Sequence, residues 1–210
     1  MARIKQRQVL PCVDKQRSAA VKVKASEALT ANALIMGTGV SGAHMTVNLA
    51  DVDDFTQSGG TLYVCDFAVA SGKTVACAVP WKLITGINTS AAEAVGQPVY
   101  LSSDGSGEYT LTPTASKPHI KVGHVVADHA TLGAILLNPG AYSGQIGGQV
   151  AFPSAATATV AVGAAFNGRP VVATMNGGVR YVKKAAIAGG TLTITADDAS
   201  SDTASYMIIG

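Results

Sequence analysis

The chain has 210 residues, of which 48% are hydrophobic and only 13% charged, with a net charge of +2; an average soluble domain is roughly 25% charged. A surface left so neutral, built from Ala, Gly, Thr and Ser, is poor at keeping a monomer apart from its neighbours and suits a protein whose faces pack against partners. No run approaches the roughly 20 apolar residues of a membrane-spanning helix, and no apolar stretch follows Arg3, Lys5 and Arg7, so the sequence predicts a soluble protein made in the cytoplasm.

In chain order, the first element is a basic arm over residues 1–24. It holds Arg3, Lys5, Arg7, Lys15, Arg17, Lys22 and Lys24 against the single acid Asp14, a net of +6. Residues 25–153 reverse the sign, with four lysines and nine carboxylates. Such an arm meets either nucleic acid or an acidic protein surface. The aromatics that stack bases are missing from it, since none precedes Phe55, so any nucleic-acid contact is a nonspecific one with phosphate.

From residue 25 onward, short runs of Val, Ile, Thr and Tyr alternate with Gly, Asn, Asp and Pro, the signature of an all-β chain. Strands are predicted at Leu34–Met36, His44–Leu49, Thr61–Val69, Thr74–Pro80, Val99–Ser102, Tyr109–Thr112, Ile120–Val126 and Gly133–Leu137. Gly37 to Gly42 reads as a glycine-rich loop, and Ser90–Val95 as the one short helix. No βαβ crossover is visible, so the strands predict an antiparallel β-barrel or β-sandwich domain over 25–140. A tight turn at Ala70-Ser71-Gly72-Lys73 pairs Cys65 with Ala78 and places Cys77 on the opposite face. That register argues against a Cys65–Cys77 bridge, and all three cysteines are expected as free thiols in a reducing cytosol. The glycines around Asn138-Pro139-Gly140 and Gly144 to Gly148 predict a linker over 141–153. A second, small β-sandwich is predicted over 154–210, from strands at Thr157–Val162, Pro170–Met175, Val179–Ile187, Thr191–Thr195 and Ser205–Ile209. A unit under 60 residues is marginal alone and gains from contact with a neighbour.

Motifs that would carry chemistry fail on context. Gly37, Gly39 and Gly42 have dinucleotide-loop spacing, but the segment after them alternates like a strand and supplies no helix N-terminus for a pyrophosphate. His44, His119, His124 and His129 offer a base without a nucleophile elbow, and five-residue spacing sends His119 and His124 to opposite faces of an ideal strand. Asp51, Asp53 and Asp54, and Asp197, Asp198 and Asp202, do not complete a calcium loop and read as solvated turns. The residues therefore predict no enzyme, no metal and no cofactor.

Three segments carry a resemblance: Ala94-Val95-Gly96-Gln97-Pro98-Val99-Tyr100-Leu101, Ile120-Lys121-Val122-Gly123-His124-Val125-Val126, and Ala134-Ile135-Leu136-Leu137-Asn138-Pro139. Over residues 25–140 the sequence resembles the head decoration, or cement, proteins of tailed bacteriophages, in which such strands form the β-barrel core. The tail, from Phe166 through Tyr181-Val182 to Thr195, looks like a small sandwich module appended to other virion surface proteins. The resemblance implies a non-catalytic protein on the outer surface of a capsid that stabilises the shell. It also implies the major capsid protein and further copies of itself, as a homotrimer, for partners, without a membrane or specific nucleic acid. The arm residues Arg3, Lys5, Arg7, Lys15, Arg17, Lys22 and Lys24 are then the expected capsid contacts. The alternative is a tail or baseplate component or a host-surface adhesin that binds glycan through the C-terminal module.

Overall fold

The computed structural model describes residues 20–53, 61–91, 95–114, 117–141, 145–177 and 180–209. It is all-β, as the sequence predicts. Five strands close into a small barrel: β1 (Val21–Ala25), β2 (Leu34–Ser41), β3 (His44–Leu49), β4 (Leu62–Cys65) and β5 (Thr74–Val79), in the order β1-β3-β2-β4-β5. The first of these corrects the expected arm. Val21-Lys22-Val23-Lys24-Ala25 alternates with period two, so Val23 and Ala25 are buried while the lysines face outward. β1 runs parallel to β3 and antiparallel to β5, which makes it the strand that closes the barrel. Lys22 and Lys24 are thus barrel-wall residues, and Lys24 Nζ donates to Ser41 Oγ at 3.1 Å.

β2 runs through the expected glycine loop. A Cβ on Gly37 would lie 2.8 Å from Met45 Sδ, and a register shift between Gly37 and Gly39 bends the strand, so these glycines serve close packing within a sheet. Only Gly42, at φ 63°, turns the chain into β3. The stretch predicted as one strand over Thr61–Val69 ends at Cys65, and Val69 makes an isolated bridge to Leu29 instead.

The register Cys65↔Ala78 is found as predicted, but the face assigned to Cys77 is not. Against β1, Val21 pairs with Ala78 and Lys22 with Ala76, so Cys77 is the extra residue of a bulge. A bulge breaks alternation. Cys77, Ala78 and Val79 are all fully buried, and the Cys65 thiol donates to Phe67 O at 3.1 Å. Both remain free cysteines, and Cys12 lies outside the described residues. The neighbouring Cys77 thiol and burial push the Cys65 thiol up, well above its ordinary value.

The chain continues as β6 (Lys82–Ile87), β7 (Pro98–Leu101), β8 (Tyr109–Thr110), β9 (His119–Ala127), β10 (Gly133–Leu137), β11 (Gln145–Ala151), β12 (Ala155–Ala161), β13 (Val171–Met175), β14 (Val182–Ala188), β15 (Thr191–Ser200) and β16 (Thr203–Ile209). Eight of these form one long sheet of order β13-β16-β11-β9-β10-β6, with β7 on β9 and β8 on β7. The others form the sheet β12-β15-β14. The strands expected to build a barrel up to residue 140 are therefore divided, since the closed barrel ends at Val79 and β7, β9 and β10 lie in the open sheet. The expected linker is a correction as well. Residues 145–151 are β11, paired along their whole length with β16 and at Ile146↔Ile120 with β9. Gly148 gives the segment its linker-like composition, yet its bare Cα makes room for the Tyr206 ring, whose Oη would lie 2.7 Å from a Cβ there.

One apolar core joins these layers. Leu34 and Val64 from the barrel, Val99, Ile120, Ile135 and Ile146 from the long sheet, and Leu192 and Ile194 from the three-stranded sheet belong to a single buried cluster. A smaller cluster around Val23, Ile35, Val47 and the two cysteines fills the barrel. Ser90 and Ala91 form a turn, while residues 92–94 of the expected helix lie outside the described residues. Among the described residues, no helix is long and apolar enough to cross a membrane.

Candidate functional site

Two surfaces stand out, a cleft at the seam between barrel and long sheet and an apolar face on the far end of that sheet. The cleft exists because the loop between β7 and β8 is stitched to the barrel. Leu34 N–H donates to Gly107 O at 2.8 Å, Gly107 N–H to Ala50 O at 2.6 Å, and Val52 N–H to Ser102 O at 3.2 Å. Gly107 has φ 80°, and a Cβ there would lie 2.9 Å from Leu49 Cδ2 and 3.0 Å from Ala33 Cβ. Only glycine fits both the angle and the gap.

Above this contact lies a cleft of about 600 Å³. Leu49, Ile84, Ile87 and Tyr109 give it apolar lining, and among the described residues its charged lining residue is Glu108. Two further carboxylates bond to its lining residues. Glu27 Oε1 accepts the Leu49 N–H at 2.7 Å, and Asp51 Oδ2 accepts from Ser106 at 3.3 Å, Leu49 and Ser106 both being lining residues. Asp104 sits on the same loop, exposed. Burial pushes the Tyr109 phenol above its ordinary pKa, so the floor stays neutral. Asp53, just beyond, is paired with Lys117 at 2.8 Å. The arrangement is a neutral, partly apolar trough with a negative rim, suited to an extended segment that carries both apolar and basic side chains.

The second surface follows from alternation in β16. Ala204, Tyr206 and Ile208 point into the core, so Met207 and Ile209 point out and are 53% and 48% exposed. Val172, opposite Met207, is 59% exposed. The row continues across Gly147 to His119, whose ring meets the Tyr100 ring edge-on at 5.6 Å. Burial lowers the His119 pKa below its ordinary value, only partly offset by its hydrogen bond to Thr114 O.

Of the predicted contact residues, Arg3, Lys5, Arg7, Lys15 and Arg17 lie outside the described residues, and Lys22 and Lys24 are on β1. Of the acidic residues expected in solvated turns, Asp202 lies in the bend between β15 and β16, Asp54 lies outside the described residues, and two fall instead in a strand. Asp197 and Asp198 lie in β15, where Arg180 reaches them at 3.8 and 3.3 Å. His129 is structural, its Nδ1 accepting the Thr131 and Leu132 N–H groups at 3.0 Å. Sequence reasoning missed the acidic rim because Glu27, Asp51 and Glu108 are far apart in the chain and meet only through the loop contact at Gly107. Comparison with protein-family models, curated proteins and solved structures gave no match.

Proposed function

We propose that this chain is a structural, non-catalytic virion protein that binds the outer surface of a tailed-phage capsid and stabilises the shell, partnered by the major capsid protein and by two further copies of itself. The observation that carries this reading is the outward face of Val172, Met207 and Ile209, an exposed apolar row on a broad sheet in a chain with only 13% charged residues. Adhesion is the property such a face has. A supporting point is that the three segments bearing the decoration-protein resemblance are neighbours, β7 and β10 both pairing with β9. Three weak contacts on a capsid three-fold bind more strongly than one, which is the advantage of a trimer there. The basic side chains Arg3, Lys5, Arg7, Lys15 and Arg17 supply the salt-sensitive part of that binding.

Cosedimentation with undecorated heads of the virus that encodes the chain tests the reading, alongside light scattering. Intact protein is expected to pellet with the heads and to scatter as about three times 21.2 kDa. A Val172→Lys, Met207→Lys double variant, which changes only outward positions, should melt like the parent and fail to pellet. Pelleting unaffected by these changes would remove the apolar face from the account. Failure of the parent to pellet, with binding on a glycan array, would favour the adhesin.

A further inference from the structure

We propose that the basic segment ahead of the barrel, residues 1–19, docks in the acidic cleft of its own chain. The inference does not depend on the capsid reading. It rests on three matches between the cleft and this segment.

The first is charge. Residues 1–19 carry five basic side chains against Asp14, while among the described residues the cleft lining holds Glu108 with no lysine or arginine, Glu27 and Asp51 bond to lining residues, and Asp104 is on the same loop as Glu108. Opposite potentials across a partly apolar trough attract more strongly than the same charges in open water. The second is side-chain pattern. Ile4 and Leu10 stand at even positions while Arg3, Lys5, Arg7, Lys15 and Arg17 all stand at odd ones, and the cleft offers Leu49, Ile84, Ile87 and Tyr109 to the apolar pair. An extended chain presents alternate side chains to opposite sides, so one segment can set apolar groups on the floor and basic groups at the rim.

The third is reach. Ala20 packs against the main core and Val21 pairs with Ala78. Ala78 pairs with Cys65, whose N–H and C=O bond to Ala33 and Asn32, both lining residues. The segment therefore leaves the barrel three strand spacings from the cleft, roughly 14 Å along the wall. Nineteen residues extend to about 60 Å. Tethered so closely, the segment is present at an effective concentration of about 1 mM, so an intrinsic dissociation constant near 0.1 mM keeps it docked about nine-tenths of the time. Held there, the arm is withheld from other acidic surfaces until one competes for it.

Trypsin cleavage after Arg3, Lys5 and Arg7, followed by mass spectrometry on the intact chain, tests this. At about 0.01 M salt these bonds should be cut about tenfold more slowly than in a free peptide of residues 1–19, and at about 1 M salt the difference should largely vanish. An Asp104→Lys, Glu108→Lys variant should lose the protection at low salt, and the neutral Asp104→Asn, Glu108→Gln variant should lose part of it with the fold undisturbed. The protection should not vary with protein concentration. Cleavage of the parent as fast as the peptide, or protection untouched by the neutral variant, would overturn the proposal. Protection that rises with concentration would overturn its same-chain form and place the arm on a neighbouring copy.

Discussion

Thr89 is fully buried and polar, which demands that its hydroxyl be used. Its Oγ1 donates to Ala127 O at 2.9 Å and accepts the His129 N–H at 2.9 Å, tying the end of β6 to the turn after β9. Thr89→Val keeps the shape and removes both bonds, so it should cost about 1–3 kcal/mol through the stranded backbone groups, and Thr89→Ser much less. Urea midpoints of the two variants measure it, and equal midpoints would show that the hydroxyl contributes nothing. His119 gives a pH signature. Its folded pKa lies below the ordinary 6.5 because of burial, so as pH falls below that value the unfolded chain takes up the proton first. Its contribution is complete above about pH 6.5, declines as pH drops toward the folded pKa, and then levels off. A His119→Gln variant should lose that part of the slope between pH 7.5 and 5, and superimposable slopes in the two proteins would refute the assignment.

At the scale of the element, β1 decides what the arm is. Removing residues 1–24 removes Val23 and Lys24 from pairings with both β3 and β5, and Val21 and Lys22 from pairings with β5, leaving the barrel open. A chain beginning at Ala19 should melt cooperatively near the parent temperature, whereas one beginning at Ala25 should lose cooperative melting or aggregate; circular dichroism distinguishes them, and a well-folded shorter chain would contradict the role given to β1. The sequence made most strands readable through alternation, as at Thr191 to Thr195, where Leu192 and Ile194 are fully buried as expected. It hid β1 behind its lysines and β11 behind Gly147 and Gly148. Charge and glycine are the residue types that composition assigns to arms and linkers, and here each serves a strand. The Cys77 bulge was unreadable for another reason, because an extra residue in β5 is defined only by its partner β1. The candidate cleft shares that limit, being made by a loop contact between sequence-distant segments.

Across the whole molecule, the larger core, shared by barrel and sheets, predicts that the parts unfold together. β16 lies between β11 and β13, and Ile208 on it belongs to the same cluster as Leu34 in the barrel. Ile208→Ala should cost about 2–5 kcal/mol. The loss should appear in barrel and sheets alike, so the emission of Trp81, the sole tryptophan, and the far-ultraviolet signal should shift by the same amount. Separate shifts would mean that the barrel is an independent unit.

The position of β16 also sets a timetable. Its two neighbours, β11 and β13, are both synthesised before it, so the long sheet stands split on the ribosome until β16 emerges to fill the gap. A nascent or prematurely terminated chain displays the free edge of β11 and leaves β13 without its only strand partner among the described residues, the form most open to pairing with another nascent chain. Slow synthesis between β13 and β16 should therefore lower the yield of folded protein more than an equal delay between β5 and β6, where the closed barrel leaves no strand edge.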